Sequence, residues 1–134
     1  MTASVRDETG LVGKIVMVWF LMVAVLGLAA VDATSILFTK FRLSDLAVEA
    51  ANEASTALVQ GTTPAEACAL AADKVASVDP GAHLAKDGCR VNTTTTTVTI
   101  KLRKTASTLV AGRVSFTEHF AKVTQAETVG PGEL

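Results

Sequence analysis

The sequence predicts an α+β fold in which a long N-terminal helix, first transmembrane and then amphipathic, precedes a short helix and a small antiparallel β-sheet. Three observations lead to this prediction. Residues 11–31 are apolar except for Lys14. Apolar residues then recur at three- and four-residue spacing as far as about residue 60, which is the spacing of one helix face. Residues 97–103 alternate between polar and apolar side chains, as half-buried strands do.

The segment 11–31 has the length of a membrane span. As a helix, its 21 residues would extend about 31 Å, which is the thickness of the hydrocarbon core of a bilayer. A cleaved secretory signal has a shorter apolar region, of about 7–15 residues. We therefore expect a retained span. The alternatives are a buried core helix and cleavage near Ala30–Ala33, which would release a secreted soluble binding domain.

The helix is expected to continue beyond the span. Apolar residues share one helix face there, and no proline or glycine interrupts residues 28–60. These residues are Leu43, Leu46, Ala47, Ala50, Ala54, Ala57 and Leu58. The simplest interpretation is one helix from about Leu11 to Gln60, roughly 75 Å long, with Gly61 ending it.

The chain thus divides into four predicted parts. These are a polar leader (1–10), a transmembrane helix (11–31), its amphipathic continuation (32–60) and a small extracytoplasmic α+β domain (61–134).

Asp32 stands at the outer end of the span, where a charge costs far less than at the bilayer centre. It interrupts the apolar segment without ending the helical pattern. The simpler interpretation is an interfacial acid that marks the membrane exit. The alternative pairs Asp32 with a basic residue of a neighbouring subunit when helices bundle. In that case Asp32→Ala should impair assembly and leave membrane insertion intact.

Residues 63–66 carry the clearest helix start in the chain. Thr63 is the expected N-cap, Pro64 takes the first helical position, and Glu66 takes the place of the capping-box partner. The short helix is therefore predicted over about Pro64–Ser77.

Strands are expected in the last third of the chain. The strongest candidate covers 89–104, with Val98, Ile100 and Leu102 on one face. The weaker candidates are a strand around Val114 and Phe116 and another over 120–127, preceded by a turn or short helix over 106–112.

Cys68 and Cys89 both follow the span, in a domain whose core would be thin. A disulfide closing a loop of about 20 residues would stabilise such a domain by roughly 3 kcal/mol. The basic residues on the two sides of the span are balanced, so they do not indicate its orientation. Disulfides need an oxidising compartment, so this pairing would place the domain outside the cytoplasm. Two reduced buried thiols are the alternative. A zinc site with His83 and His119 is disfavoured because no pair has a metal-ligand spacing.

Composition and motifs argue against other classes of function. The chain has 12 basic and 13 acidic residues, so it carries no basic stripe for nucleic acid. The sequence contains no phosphate-binding glycine loop, no nucleophile elbow and no metal-spaced histidine pair. His83 is expected in a surface loop, and His119 on the polar face of a strand. The acids Asp45, Glu49 and Glu53 fit a solvated helix face better than a cation site. We therefore expect no catalytic residue, no metal and no cofactor.

Ala24, Gly27 and Ala30 recur every three residues within the span. Small residues at such spacing let transmembrane helices approach one another closely. Together with Asp32, they are the residues expected to pack against helices of other subunits, with membrane lipid around the rest of the span.

The residues RDETG running into the span, followed by AAVDATSILFTKFRLSDLAVEAANEAS, resemble the N-terminal half of TadE-like minor pilins of tight-adherence (Tad) pilus systems. In this family a span ends in an aspartate and an alanine-rich helix follows. The resemblance covers roughly residues 6–60, and the strand region only in outline. It implies a pilin-like fold and a non-enzymatic minor pilin or pseudopilin-like subunit in the bacterial cell membrane. Its partners would be other pilin or envelope-complex subunits, in a surface filament or a secretion assembly.

The resemblance also implies cleavage by prepilin peptidase, which cuts such precursors after a glycine and prefers glutamate at the fifth mature position. Gly10 and Leu11 would flank the cut. The fifth residue is then Ile15, beside the basic Lys14, so the chain departs from the family pattern here. A single-pass accessory subunit of another envelope membrane complex, with an uncut N-terminus, is the alternative function.

Overall fold

The structure, a computed structural model, describes residues 8–130 and the side chains of residues 10–130. Its elements in chain order are helix α1 (Glu8–Val59), helix α2 (Pro64–Val78), strand β1 (His83–Asn92), strand β2 (Thr97–Thr105), a 3₁₀ turn (Glu118–Ala121) and strand β3 (Lys122–Val129). They confirm the predicted α+β class with a long N-terminal helix, a short helix and an antiparallel sheet. Residues 1–7, most of the predicted leader, and the last residues, 131–134, lie outside the described part.

Helix α1 is one uninterrupted helix of 52 residues, about 78 Å long. It begins at Glu8, inside the predicted leader, and ends at Val59. Gly61 stops it with a φ of +94°, a left-handed conformation that glycine adopts without steric cost. The N–H of Gly61 donates to the carbonyl of Leu58, and the N–H of Thr62 donates to that of Ala57.

The two halves of α1 have different surroundings. Every residue from 10 to 31 is exposed. From Leu43 onward one face is buried, and its apolar residues are Leu43, Leu46, Ala47, Ala50, Ala51, Ala54 and Ala57. Because most of them are alanines, α2 and the sheet can approach the helix closely. Within the described residues, α1 is the helix that is long and apolar enough to cross a membrane.

The sheet of the described residues has the order β1-β2-β3, with both neighbouring pairs antiparallel. Val98, Ile100 and Leu102, alternate residues of the central strand β2, are completely buried in the core formed with α1 and α2. The predicted alternation of β2 is therefore confirmed.

The prediction of one continuous strand over 89–104 is wrong, because residues 93–96 form a turn that separates β1 from β2. The side chain of Asn92 accepts hydrogen bonds from the N–H groups of Thr94 and Thr95, which makes a local turn. Thr96 has a φ of +53°. Local hydrogen bonding by Asn92 thus overrides the strand preference of the β-branched threonines.

Four smaller predictions also differ from the structure. The strand around Val114 and Phe116 is wrong, because these residues lie in successive turns. His83 begins β1 and is not in a loop, and His119 lies in the 3₁₀ turn and not on a strand. The candidate over 120–127 corresponds to β3, which is shifted toward the C-terminus by two residues.

The start of α2 is a complete capping box, as predicted. The hydroxyl of Thr63 accepts the N–H of Glu66 at 3.3 Å, and the carboxylate of Glu66 accepts the N–H of Thr63 at 3.0 Å. The hydrogen bond from the Thr63 N–H lowers the pKa of Glu66 below its usual value. The helix extends to Val78, one residue beyond the prediction.

A disulfide between Cys68 and Cys89 joins α2 to β1, with 5.9 Å between the two Cα atoms. The predicted pairing of the two cysteines is therefore present in the structure. On β1 the ladder to β2 shifts register between Leu84 and Cys89. Gly88 makes this bulge possible, because a Cβ there would lie 2.6 Å from the carbonyl oxygens of Ala85 and Lys101.

Asp79, the residue after α2, ties the end of this helix to β2. Its carboxylate accepts hydrogen bonds from the ammonium group of Lys104 and from the N–H of Gly81. The hydrogen bond from Lys104, with smaller contributions from Gly81 and the nearby charge of Arg42, lowers the pKa of Asp79 below its ordinary value of 3.8.

We expect the Asp79 contact to make stability depend on acid pH. Because the folded-state pKa is lowered, the stabilisation is complete above about pH 5 and is lost as the pH falls through the lowered value. Urea unfolding of the full chain in detergent micelles at about pH 6 and about pH 3 measures this loss. It should be smaller in Asp79→Asn than in the wild type, whereas Asp73→Asn, at an exposed acid of α2, should follow the wild type. Equal losses in wild type and Asp79→Asn would contradict the prediction.

Candidate functional site

The candidate site is the junction between α1 and the connection from β2 to β3. We call this connection, residues 106–121, the junction loop. It lies beside α1 where the exposed apolar half of the helix ends. Asp32 stands at its centre and is only 5% exposed, although every residue from 10 to 31 is exposed.

The carboxylate of Asp32 accepts three backbone hydrogen bonds from consecutive residues of the junction loop. Oδ1 accepts the N–H of Leu109 at 2.6 Å. Oδ2 accepts the N–H groups of Val110 at 2.9 Å and Ala111 at 2.8 Å. Successive N–H groups that converge in this way form a natural site for an anion, and the anion is supplied by α1. Asp32 therefore holds the junction loop against the helix.

Two further polar contacts fasten α1 to the domain. Ser35, three residues after Asp32, donates its hydroxyl hydrogen to the carbonyl of Ser107. Ser44 donates to the carboxylate of Glu127 on β3 at 2.6 Å. Asp32 and Ser35 thus bind the junction loop, and Ser44 binds β3 farther along the helix.

The junction loop is built from consecutive turns. The carbonyl of Val110 accepts the N–H groups of Arg113 and Val114, and the carbonyl of Val114 accepts those of Thr117 and Glu118. The hydroxyl of Thr117 donates back to the carbonyl of Ala111 at 3.0 Å. These bonds explain why the residues around Val114 do not form a strand, since their N–H groups are already used within the loop.

An apolar groove of about 480 Å³ lies between α1 and the junction loop. Val25, Leu28 and Ile36 line it from the helix, and Val110, Val114 and Phe116 from the loop. Asp32 also borders the groove, but its carboxylate oxygens are occupied by the loop N–H groups. The groove is therefore suited to apolar contacts and not to acid–base chemistry.

Three of the four predicted packing residues have no side-chain partner within the described chain. Ala24, Gly27 and Ala30 are exposed, and a Cβ placed on Gly27 would meet no heavy atom within 4 Å. Asp32 is the exception among the predicted packing residues, because it packs against its own chain. Neither earlier interpretation of Asp32 included these partners.

Gly10 and Leu11, the candidate cleavage residues, lie in the first turns of α1 and are exposed. Their cleavage stays a prediction.

Two of the three acids on one face of α1, Glu49 and Glu53, lie close to Lys74 of α2. The ammonium group of Lys74 lies 2.8 Å from a carboxylate oxygen of Glu49 and 3.8 Å from one of Glu53. The hydrogen bond with Glu49 raises the pKa of Lys74 above its usual value. Glu49 and Glu53 thus form ion pairs between the two helices at the surface. Among the described residues, no three His, Cys, Asp or Glu side chains are grouped so that they could hold a metal ion.

No protein-family model matches the chain, and no curated protein or solved structure matches it either.

Proposed function

We propose that this chain is a non-enzymatic minor pilin or pseudopilin-like structural subunit of a bacterial pilus or secretion assembly. One observation carries the proposal. The exposed apolar half of α1 continues without a break into the half that forms the core of a small disulfide-bonded α+β domain. A subunit of this shape can be anchored in lipid by the first half of the helix. It can then pack side by side with other subunits along the same helix.

The proposed orientation places the N-terminus in the cytoplasm and the domain outside it. The Cys68–Cys89 disulfide supports this orientation, because disulfides persist in oxidising compartments. The proposed contacts with other subunits use Ala24, Gly27 and Ala30, whose exposed small side chains would let a second helix approach closely. Membrane lipid would surround the rest of the span.

N-terminal sequencing after co-expression with a prepilin peptidase tests the proposal. The wild-type chain is expected to begin at Leu11, and Gly10→Val to keep Met1. Gly13→Val, at a glycine three residues later in the same helix, is the matched control and should be cut like the wild type. Pilus components should co-purify with the cut chain. An uncut chain that binds no pilus component would overturn the proposal.

The second candidate is a single-pass accessory subunit of another envelope complex. It is favoured by Ile15 and Lys14, which replace the expected glutamate with an apolar residue beside a base. It predicts an intact Met1 and co-purification with a large membrane assembly that contains no pilins. An N-terminus near residue 31 would instead indicate a secreted soluble domain.

A further inference from the structure

We propose that the junction loop is a second membrane contact, which enters the headgroup and outer acyl region of the bilayer beside α1. Its partner is a lipid surface. The inference rests on the proposed anchoring of α1 in the membrane and adds a second site at which the domain itself meets lipid.

The depth of the junction loop follows from the residues that it faces on α1. Val25 comes seven residues before Asp32 and so lies about 10 Å deeper along the helix axis, toward the bilayer centre. Val25 and Leu28 line the same groove as Val114 and Phe116. If residues 11–31 are in the hydrocarbon core, these loop residues stand beside its outer layer.

The loop exposes large apolar side chains, among them Phe116 of the groove. Leu109 is 57% exposed, Phe116 79% and Phe120 62%. Phe116 lines the groove together with Val25 and Leu28, so its surface adjoins the exposed apolar half of α1, which the proposed anchoring places in lipid. Large contiguous apolar surfaces of this kind mark a binding partner or a membrane, and continuity with the span favours the membrane.

The loop backbone is also suited to surroundings with little water. Each N–H group from residue 109 to residue 114 donates within the protein: three to Asp32, one to the hydroxyl of Thr108 and two to the carbonyl of Val110. The N–H groups of Thr117, Glu118 and Phe120 are bonded inside the loop as well. These bonds lower the cost of placing residues 109–114 where little water is available, because an unsatisfied backbone group is costly in lipid. Asp32 thereby satisfies three donors that the turns of the loop leave free. Among the described residues, the N–H groups of Ser115 and Phe116 have no partner, which suits the headgroup region, where water reaches the backbone, better than the bilayer centre.

The charged residues of the loop place it at the interface and not in the bilayer centre. Arg113 is exposed, and its long side chain can reach headgroup phosphates while its stem lies along apolar groups. Glu118 pairs with Lys122 at 3.3 Å where the loop meets β3. An apolar surface with a basic residue within it is typical of segments that lie in the headgroup region of anionic membranes.

Spin-label accessibility in lipid vesicles tests the proposal. The full chain would carry a label at Phe116→Cys, and the native cysteines do not react because both are in the disulfide. Vesicles of phosphatidylcholine and phosphatidylglycerol at a high lipid-to-protein ratio keep the chains apart. Collision with oxygen, relative to a water-soluble nickel chelate, should be several-fold greater at position 116 than at Thr94→Cys in the β1–β2 turn. Leu21→Cys, within the span, is the lipid reference.

Phe116 is largely exposed, so its replacement leaves the core intact, and Phe120→Cys provides a second exposed apolar position in the same loop. A water-like signal at 116 and 120 with a lipid-like signal at 21 would overturn the loop contact and leave the anchoring of α1 intact. A water-like signal at position 21 as well would overturn the anchoring itself. Poor access to both reagents at 116 and 120 would indicate a protein contact there, and would overturn the assignment to lipid.

Discussion

Asp32→Ala is expected to release the junction loop from α1. The substitution leaves the N–H groups of Leu109, Val110 and Ala111 without their shared acceptor, and hydrogen bonds to charged groups are the stronger ones. We expect hydrogen exchange of these three amides to accelerate by on the order of 100-fold. Amide exchange measured by NMR on the full chain in detergent micelles would show this directly. The core of the domain is expected to remain folded, because Asp32 is separate from the buried face that begins at Leu43.

Two controls separate the carboxylate's role from a general change in α1. Asp32→Asn keeps one oxygen acceptor but loses the charge, so its exchange rates should lie between those of the wild type and the alanine variant. Asp45→Ala removes an exposed acid of the same helix and should leave the three amides unchanged. Unchanged protection of Leu109–Ala111 in Asp32→Ala would show that the rest of the loop holds itself in place. Impaired assembly of the same variant in cells would then need another cause.

Removal of the disulfide is expected to lower the free energy of unfolding by about 3 kcal/mol. Cys68 and Cys89 are 21 residues apart in sequence, so their bond restricts a loop of that size in the unfolded chain. The domain is small, and α2 meets β1 at this bond, so the cost falls on the contact between these two elements. Urea unfolding of the full chain in detergent micelles, with Cys68→Ala and Cys89→Ala combined, measures the loss.

The wild type under reducing conditions is the matched control, and it should be about as stable as the double variant. Reduction should leave the double variant unchanged. Thiol labelling of whole cells before and after reduction adds a test of compartment: the wild type is expected to react only after reduction. Equal stability of the oxidised wild type and the double variant would contradict the prediction. Free thiols in cells would count against the extracytoplasmic placement of the domain.

Local patterns predicted most of the fold because the forces behind them act over a few residues. The length of α1 follows from an apolar face that continues past Asp32 with no proline or glycine to stop it. The start of α2 follows from Thr63 and Glu66, three residues apart, and the burial of β2 from its alternating side chains. The same kind of evidence failed at Asn92, because a short polar side chain that bonds the following backbone outweighed the strand preference of the threonines.

By itself, the sequence determined an α+β chain with one continuous helix, apolar enough at its start to cross a membrane, and a small domain with two cysteines. It drew attention to Asp32 but could not identify its partners, which lie 77 to 79 residues away. Only the tertiary structure shows that the N–H groups of Leu109–Ala111 meet this carboxylate. It also shows that the residues around Val114, expected to form a strand, belong to a loop packed against α1. The reason is physical. Helix periodicity and capping are set by neighbours in sequence, whereas the docking of a loop depends on where the core places two distant segments.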